Sequence, residues 1–258
     1  MSRPPPAQRF QAEHVNECWQ FDLSPSDLKR VPAPLWVEAG RTPPTLMLFS
    51  AVGDRSGVAY QEYRCVYGED VAAALRFLFN ATSPKDDEPG LVLQGIPAMI
   101  YLDNGPVAKS GTFKRVMAQL GVDVCTHMPH GSDGRRVTAR SKGKVERPFR
   151  TVNEAHGTLY HFHTPHHFHK ARDEAEANLW LRHYLARCNA QPHRSGRQSR
   201  AEDWSANLQE AGIRAMCAWD RFCTFAREAE RRRVGVDARV QVWTGLLTKS
   251  SLPWRARR

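Results

Sequence analysis

Apolar and polar residues alternate over 18–23, with Trp19, Phe21 and Leu23 on one face and Cys18, Gln20 and Asp22 on the other. That period of two predicts a strand. Residues 45–52 are a continuous apolar run, suited to a buried strand. Asp54-Arg55-Ser56-Gly57 is turn chemistry, and 58–66 reads as a third strand with Tyr60, Glu62 and Arg64 on one face. The first three strands therefore form an antiparallel meander. A helical stripe follows over 69–80 (Val71, Ala74, Leu75, Leu78, Phe79), then a strand over 97–103. A helix over 112–120 carries Phe113, Val116, Met117 and Leu120, with Gly121 placed to stop it. A short strand over 122–128 and a helix over 141–156 (Val145, Phe149, Val152) complete the series. A meander followed by alternating helices and strands predicts a mixed α/β sheet with helices on both faces.

The remainder is less regular. Residues 1–14 read as a lead-in, and 24–44 as an irregular excursion with five prolines. A further amphipathic helix is expected over 170–189, a basic turn over 190–200, and helix again over 207–233, ending in Arg231-Arg232-Arg233. Weak alternation over 234–247 reads as the opening strands of a small β module. The expected organisation is a lead-in (1–14), a core (15–200), a helical linker (201–233) and a partial C-terminal β module (234–258).

Composition narrows the function. The chain has 258 residues, of which 41% are hydrophobic, and no apolar run of the roughly 18 residues that suggest a membrane span. The N-terminus has no apolar stretch of the kind a signal peptide needs. Six scattered cysteines, none in a Cys-x-x-Cys pair, point to reduced thiols rather than a zinc ribbon or disulfide framework. The formal charge of +10 is uneven: 1–129 hold 12 Lys/Arg against 14 Asp/Glu, and 130–258 hold 25 against 13. A basic second half favours a polyanionic partner, because each cation on a phosphate releases counterions.

Three acids then stand out. Asp22 lies in the first strand, Asp103 closes the fourth and precedes Asn104-Gly105, and Glu146 lies in the basic run Arg-Ser-Lys-Gly-Lys-Val-Glu-Arg. Acids on neighbouring strands can share a divalent cation, and a third acid from a nearby helix can complete a second site. Magnesium suits such a set, since it takes few protein carboxylates and keeps water and phosphate oxygens as its other ligands. Two such ions clamp the attacking and leaving oxygens of an in-line displacement, so no protein nucleophile is needed. Each acid alone has an ordinary reading: an exposed aspartate, a turn, and an ion-pair ladder with Lys142 and Arg150.

The runs Trp19-Gln20-Phe21-Asp22, Tyr101-Leu102-Asp103-Asn104-Gly105 and Ala139-Arg140-Ser141-Lys142-Gly143-Lys144-Val145-Glu146-Arg147 resemble the catalytic core of the DDE transposases and retroviral integrases (rve-type, Mu-like bacterial transposases). The resemblance spans 16–200 and implies an RNase H-like five-stranded core, followed by helices and the start of a small β-barrel-like module. It implies Asp22, Asp103 and Glu146 as the catalytic, metal-binding triad, with Asn104 and Gly105 shaping the metal loop. Lys142, Lys144 and Arg147, with Arg140 and Arg150 in the same basic segment, are the expected DNA contacts. The implied cofactor is a pair of Mg2+ ions, with Mn2+ able to substitute. The implied partners are DNA, as element ends and target, and further copies of the chain, with no membrane. The implied location is a bacterial cytoplasm, nucleoid-associated when DNA-bound. The implied reaction joins a 3′-hydroxyl to target DNA by transesterification.

Departures from the family pattern are specific. Asp103 and Glu146 are 43 positions apart, wider than in retroviral integrases. Asn189, His193 and Gly196 fit a motif that follows the core, but Ser199-Arg200 lacks its usual proline. No N-terminal end-binding domain is read, so a truncated member is expected. A catalytically silent DNA-binding remnant and a plain nuclease are the alternatives. The histidines of 161–169 read as a solvated linker ahead of a zinc site. Trp180, Tyr184 and Trp204 read as core.

Overall fold

The computed structural model describes residues 12–26, 28, 34, 37, 40, 42–126, 171–192, 197–208 and 212–227, together with the backbone of 239–244 and 248–253. The chain divides into two compact units, Met1–Ala226 and Arg227–Arg258. The larger unit holds strands β1 (Cys18–Pro25), β2 (Thr45–Gly53), β3 (Ala59–Val66), β4 (Met99–Leu102) and β5 (Asp123–Thr126). Its helices are α1 (Val71–Thr82), α2 (Pro106–Lys109), α3 (Gly111–Gln119), α4 (Glu174–Asn189), α5 (Arg200–Ala206) and α6 (Trp219–Ala226).

The five strands form one open sheet in the order β3-β2-β1-β4-β5. β1, β2 and β3 pair antiparallel, and β4 and β5 join β1 in parallel. The meander and the mixed sheet thus follow the pattern read from the sequence. Asp70 starts α1 by accepting the Ala72 and Ala73 N–H groups. Phe77 on α1 packs against Phe21, Phe49 and Tyr60, with ring centroids 5.6, 5.7 and 5.8 Å away. Phe79, round the helix from Phe77, meets Trp219 and Phe222 of α6 at 4.8 and 5.2 Å. Helix α1 is therefore buried on two sides, which explains an apolar stripe wider than one face needs.

β3 is an edge strand, and its free N–H and C=O groups need partners. α4 supplies them from side chains. Glu174 accepts the Cys65 N–H at 2.7 Å. Asn178 both accepts from and donates to the Tyr63 backbone, at 2.8 and 2.9 Å. Asn189 does the same for Ala59, at 3.0 and 3.1 Å, and also donates to the Gly90 carbonyl at 3.1 Å. Increasing helix number meets decreasing strand number, so α4 runs antiparallel along the edge. Ala177, Leu181 and Leu185, on the same side of α4, are buried in the core.

Ser199 caps α5 with a full capping box to Glu202, so Arg200 occupies the first helical position. Proline is favoured there because its N–H is dispensable. In this chain Arg200 uses the position differently. Its N–H meets the Gln191 carbonyl at 3.2 Å, and its guanidinium donates to the Cys188 carbonyl at 2.8 Å, at the end of α4. Arg200 thus ties the start of α5 to the end of α4.

Two expectations need correction. The helix expected over 207–233 is irregular over 212–218 and becomes helical only at α6. Arg115 donates to the Phe225 and Ala226 carbonyls, and Arg214 donates to those of Pro97, Leu120 and Gly121, so tertiary bonds compete with continued helix there. The β-barrel-like module is not formed either. In the smaller unit, β6 (Arg239–Thr244) and β7 (Thr248–Pro253) pair only with each other, as a two-stranded antiparallel sheet. A barrel closes only when its first and last strands bond, and among the described residues neither sheet closes. Alternation in sequence predicts strands but not closure.

Gly95 carries a stability prediction. Its φ is +85°, and a Cβ there would lie 2.3 Å from the Ile213 Cγ2. Gly95→Ala is expected to destabilise the larger unit by about 2 kcal/mol or more, through left-handed strain and the clash. Chemical denaturation of the two proteins measures it.

Candidate active site

The β1–β4 register decides whether the first two acids can act together. Cys18, Trp19 and Gln20 lie opposite Met99, Ile100 and Tyr101 on the parallel neighbour. Two residues further along, the same register brings Asp22 opposite Asp103. The pairing itself ends at Gln20–Tyr101, so Asp22 lies on β1 and Asp103 just past the end of its parallel neighbour. Asp22 is half-buried, and its Oδ1 accepts the Leu23 N–H at 2.9 Å. Asp103, one residue past the end of β4, is exposed.

Asn104 is exposed, and Gly105 is the N-cap of α2, with Pro106 at the first helical position. Gly105 has an ordinary backbone conformation, φ −83°, so left-handed geometry does not explain the glycine. A Cβ there would lie 2.8 Å from a carboxylate oxygen of Glu69, the end of an exposed side chain that can swing aside, so space does not demand the glycine either. The loop after Asp103 thus packs directly against the turn before α1. Beside it lies a cleft of about 550 Å3, lined in part by Asn104, Lys109, Lys114, Asp123 and Thr126. Its two lysines put cationic side chains in a cleft that starts at Asn104, the residue after Asp103.

The row through Asp22 continues across the sheet. Asp22 pairs with Ser50 of β2, and Ser50 with Gln61 of β3. Ser50 and Gln61 are 0% and 1% exposed. Gln61 Nε2 donates to Ser50 Oγ at 3.0 Å, while Gln61 Oε1 is buried without a hydrogen-bond partner. Such an atom costs about 1–3 kcal/mol. The row therefore reads Asp103, Asp22, Ser50, Gln61. The sequence reading passed over Ser50 and Gln61. The signal was present, as one hydroxyl inside an apolar run and a polar residue opposite the Tyr60, Glu62, Arg64 face.

Glu146, the third expected acid, lies outside the described residues, as do Arg140, Lys142, Lys144, Arg147 and Arg150. The helix expected over 141–156 and the histidines of 161–169 lie outside them too. Among the described residues no three His, Cys, Asp or Glu side chains are grouped to hold a metal. The two carboxylates are hard oxygen donors on adjacent strands, which fits a divalent cation such as Mg2+. Trp204 is buried, and Trp180 and Tyr184 pack partly buried against the core. Burial first, then Glu174, pushes the Cys65 thiol up to about 12, so it is no thiolate nucleophile near neutral pH. No helix among the described residues is long and apolar enough to cross a membrane.

No protein-family model and no curated protein matches this sequence. Among solved structures, the chain is similar to a chain of the simian T-cell lymphotropic virus intasome in complex with PP2A regulatory subunit B56 gamma. The identity is 16%, over 99% of this chain and 82% of that one, with a TM-score of 0.56. The HTLV-2 integrase catalytic core domain in complex with magnesium, in its dimeric form, aligns at 18% identity, over 74% of this chain and 97% of that one, with a TM-score of 0.46. The BIV integrase catalytic core domain gives 16%, 74%, 95% and 0.46. The last two likenesses are too loose to bear on the fold. The first, with the strand order β3-β2-β1-β4-β5, shows an RNase H-like fold of the integrase catalytic-core type. That fold is related to retroviral integrases and not specifically to Mu-like bacterial transposases.

Proposed function

We propose that this chain is the catalytic region of a DDE-type DNA transposase or integrase, a polynucleotidyl transferase acting on DNA ends. The observation that supports the reading is that Asp22 lies on β1 and Asp103 one residue past β4, the parallel neighbour of β1 in the interior of an integrase-type sheet. Membership of the Mu-like bacterial branch rests on the motif residues alone, with 15–200 as the catalytic region.

Asp22, Asp103 and Glu146 would hold two Mg2+ ions, or Mn2+ in their place. Bound there, the ions supply charge stabilisation at the attacking and leaving oxygens of an in-line displacement. Asn104 and Gly105 set the course of the chain beside Asp103. Arg140, Lys142, Lys144, Arg147 and Arg150 would bind phosphates around the cleaved end, and further copies of the chain would hold the second end and the target. In cleavage, a water oxygen attacks phosphorus and the P–O3′ bond breaks, leaving a 3′-hydroxyl on the element end. In strand transfer, that hydroxyl attacks a target phosphorus. A new P–O bond forms, the target's P–O3′ bond breaks, and the departing 3′ oxygen takes up a proton.

Glu146→Gln tests the assignment of the third acid. It is expected to keep DNA binding in a gel-shift assay while abolishing both cleavage and strand transfer. Retained cleavage in the variant with Mn2+ overturns the assignment. A divalent-metal-dependent plasmid assay on the wild type separates the activities: joined products support the transferase, nicks alone a nuclease, and no reaction a silent DNA-binding chain.

A further inference from the structure

We propose that Ser50 and Gln61 are positioning residues that hold the Asp22 carboxylate in the orientation its metal-binding role requires. The proposal rests on the reading of Asp22 as a metal ligand. Its ground is the polar row across β1, β2 and β3, with Asp22 opposite Ser50 and Ser50 opposite Gln61.

Ser50 sits at 0% exposure in a strand whose residues Leu46 to Gly53 are all buried, and a hydroxyl there gains nothing from solvent. Gln61 is equally enclosed at 1%. The Ser50 oxygen accepts from Gln61 Nε2 at 3.0 Å. A hydroxyl that accepts still has one proton to donate, and Asp22 is the next acceptor side chain along the row. Directly opposed antiparallel residues have Cβ atoms about 4.5–5.5 Å apart, within reach of a serine–carboxylate hydrogen bond. The proposed link extends the Gln61–Ser50 bond by one step, with the Ser50 hydroxyl donating to Asp22.

Stability alone does not account for these two residues. Replacing both members of a buried hydrogen-bonded pair with apolar groups of similar shape is often neutral or stabilising. Here the pair also leaves Gln61 Oε1 without a partner. Carboxylates that hold metals are commonly themselves hydrogen-bonded, which fixes their direction and tunes the site. Gln61 and Ser50 occupy that place relative to Asp22 and reach it across the same face of the sheet.

The test is Mn2+ binding to the full chain, read by electron paramagnetic resonance, beside each variant's thermal melting. Ser50→Ala and Gln61→Leu are expected to weaken Mn2+ binding about tenfold or more, the range seen when supporting groups behind metal ligands are removed. Ser50→Ala, which leaves the buried Gln61 amide without its acceptor, is expected to melt a few degrees lower, Gln61→Leu to stay level or rise, and Ser50→Thr, which keeps the hydroxyl, to restore most of the affinity. Wild-type affinity in both Ser50→Ala and Gln61→Leu, with binding lost in Asp22→Asn, overturns the positioning role while leaving the metal site standing. Equal binding by wild type and Asp22→Asn overturns the metal reading and the positioning role with it. Should Ser50→Ala fold poorly, Gln61→Leu carries the same test from two strands away.

Discussion

Asp103→Asn is expected to remove metal-dependent strand joining, by well over the roughly 100-fold upper range for losing a group that merely supports a metal ligand. The substitution keeps size and hydrogen-bonding capacity but removes the charge that attracts a hard cation. Asp103 is exposed and lies just beyond β4, so folding should be little changed. DNA affinity should also persist, because the basic second half of the chain supplies the expected phosphate contacts. Joining of a 3′-hydroxyl oligonucleotide to plasmid, with gel-shift and melting controls, separates these effects. Asp22→Asn should match it in direction, since the proposed site draws on both acids. Normal joining by either variant removes that acid from the chemistry.

The largest expected loss of stability comes from Asn189→Leu. Asn189 is 0% exposed and binds three backbone groups: the N–H and C=O of Ala59 and the C=O of Gly90. Leucine fills similar volume but leaves all three without their side-chain partner. Each buried orphan costs about 1–3 kcal/mol, so a total of at least about 3 kcal/mol is expected. A domain of this size loses roughly 2–4 °C per kcal/mol, which puts the fall in melting temperature near 10 °C. The effect should reach α4 as a whole, because Asn189 is its C-terminal pin on the β3 edge. Hydrogen exchange at Ala59 and along α4 would show it locally. Unchanged stability would mean that α4 is held by its apolar face alone.

The sheet was legible in the sequence because its signals are local. Alternation over 18–23 and the apolar run over 45–52 gave β1 and β2 within a few residues of their observed ends. The positions of Asp22 on a strand and of Asp103 at the end of one were legible as well, within a residue of the observed bounds. Their alignment was not, since a parallel register depends on how β4 docks beside β1, and no local pattern encodes that. The role of Asn189 was hidden for the same reason: a motif marks the residue, but its partners lie 130 and 99 positions away. Ser50 and Gln61 were obscured by position, being short polar interruptions in strands read for their apolar content. The β6–β7 hairpin shows the converse error: alternation over 234–247 covered β6 but not β7, and closure did not follow.

The most direct measurement is a crystal structure of the chain grown with Mn2+, using the metal's anomalous scattering. The account predicts a peak between the Asp22 and Asp103 carboxylates, with Glu146 close enough to share in the same site. Ordered carboxylates with no ion between them at saturating Mn2+, or ions bound to the two acids separately, would contradict it.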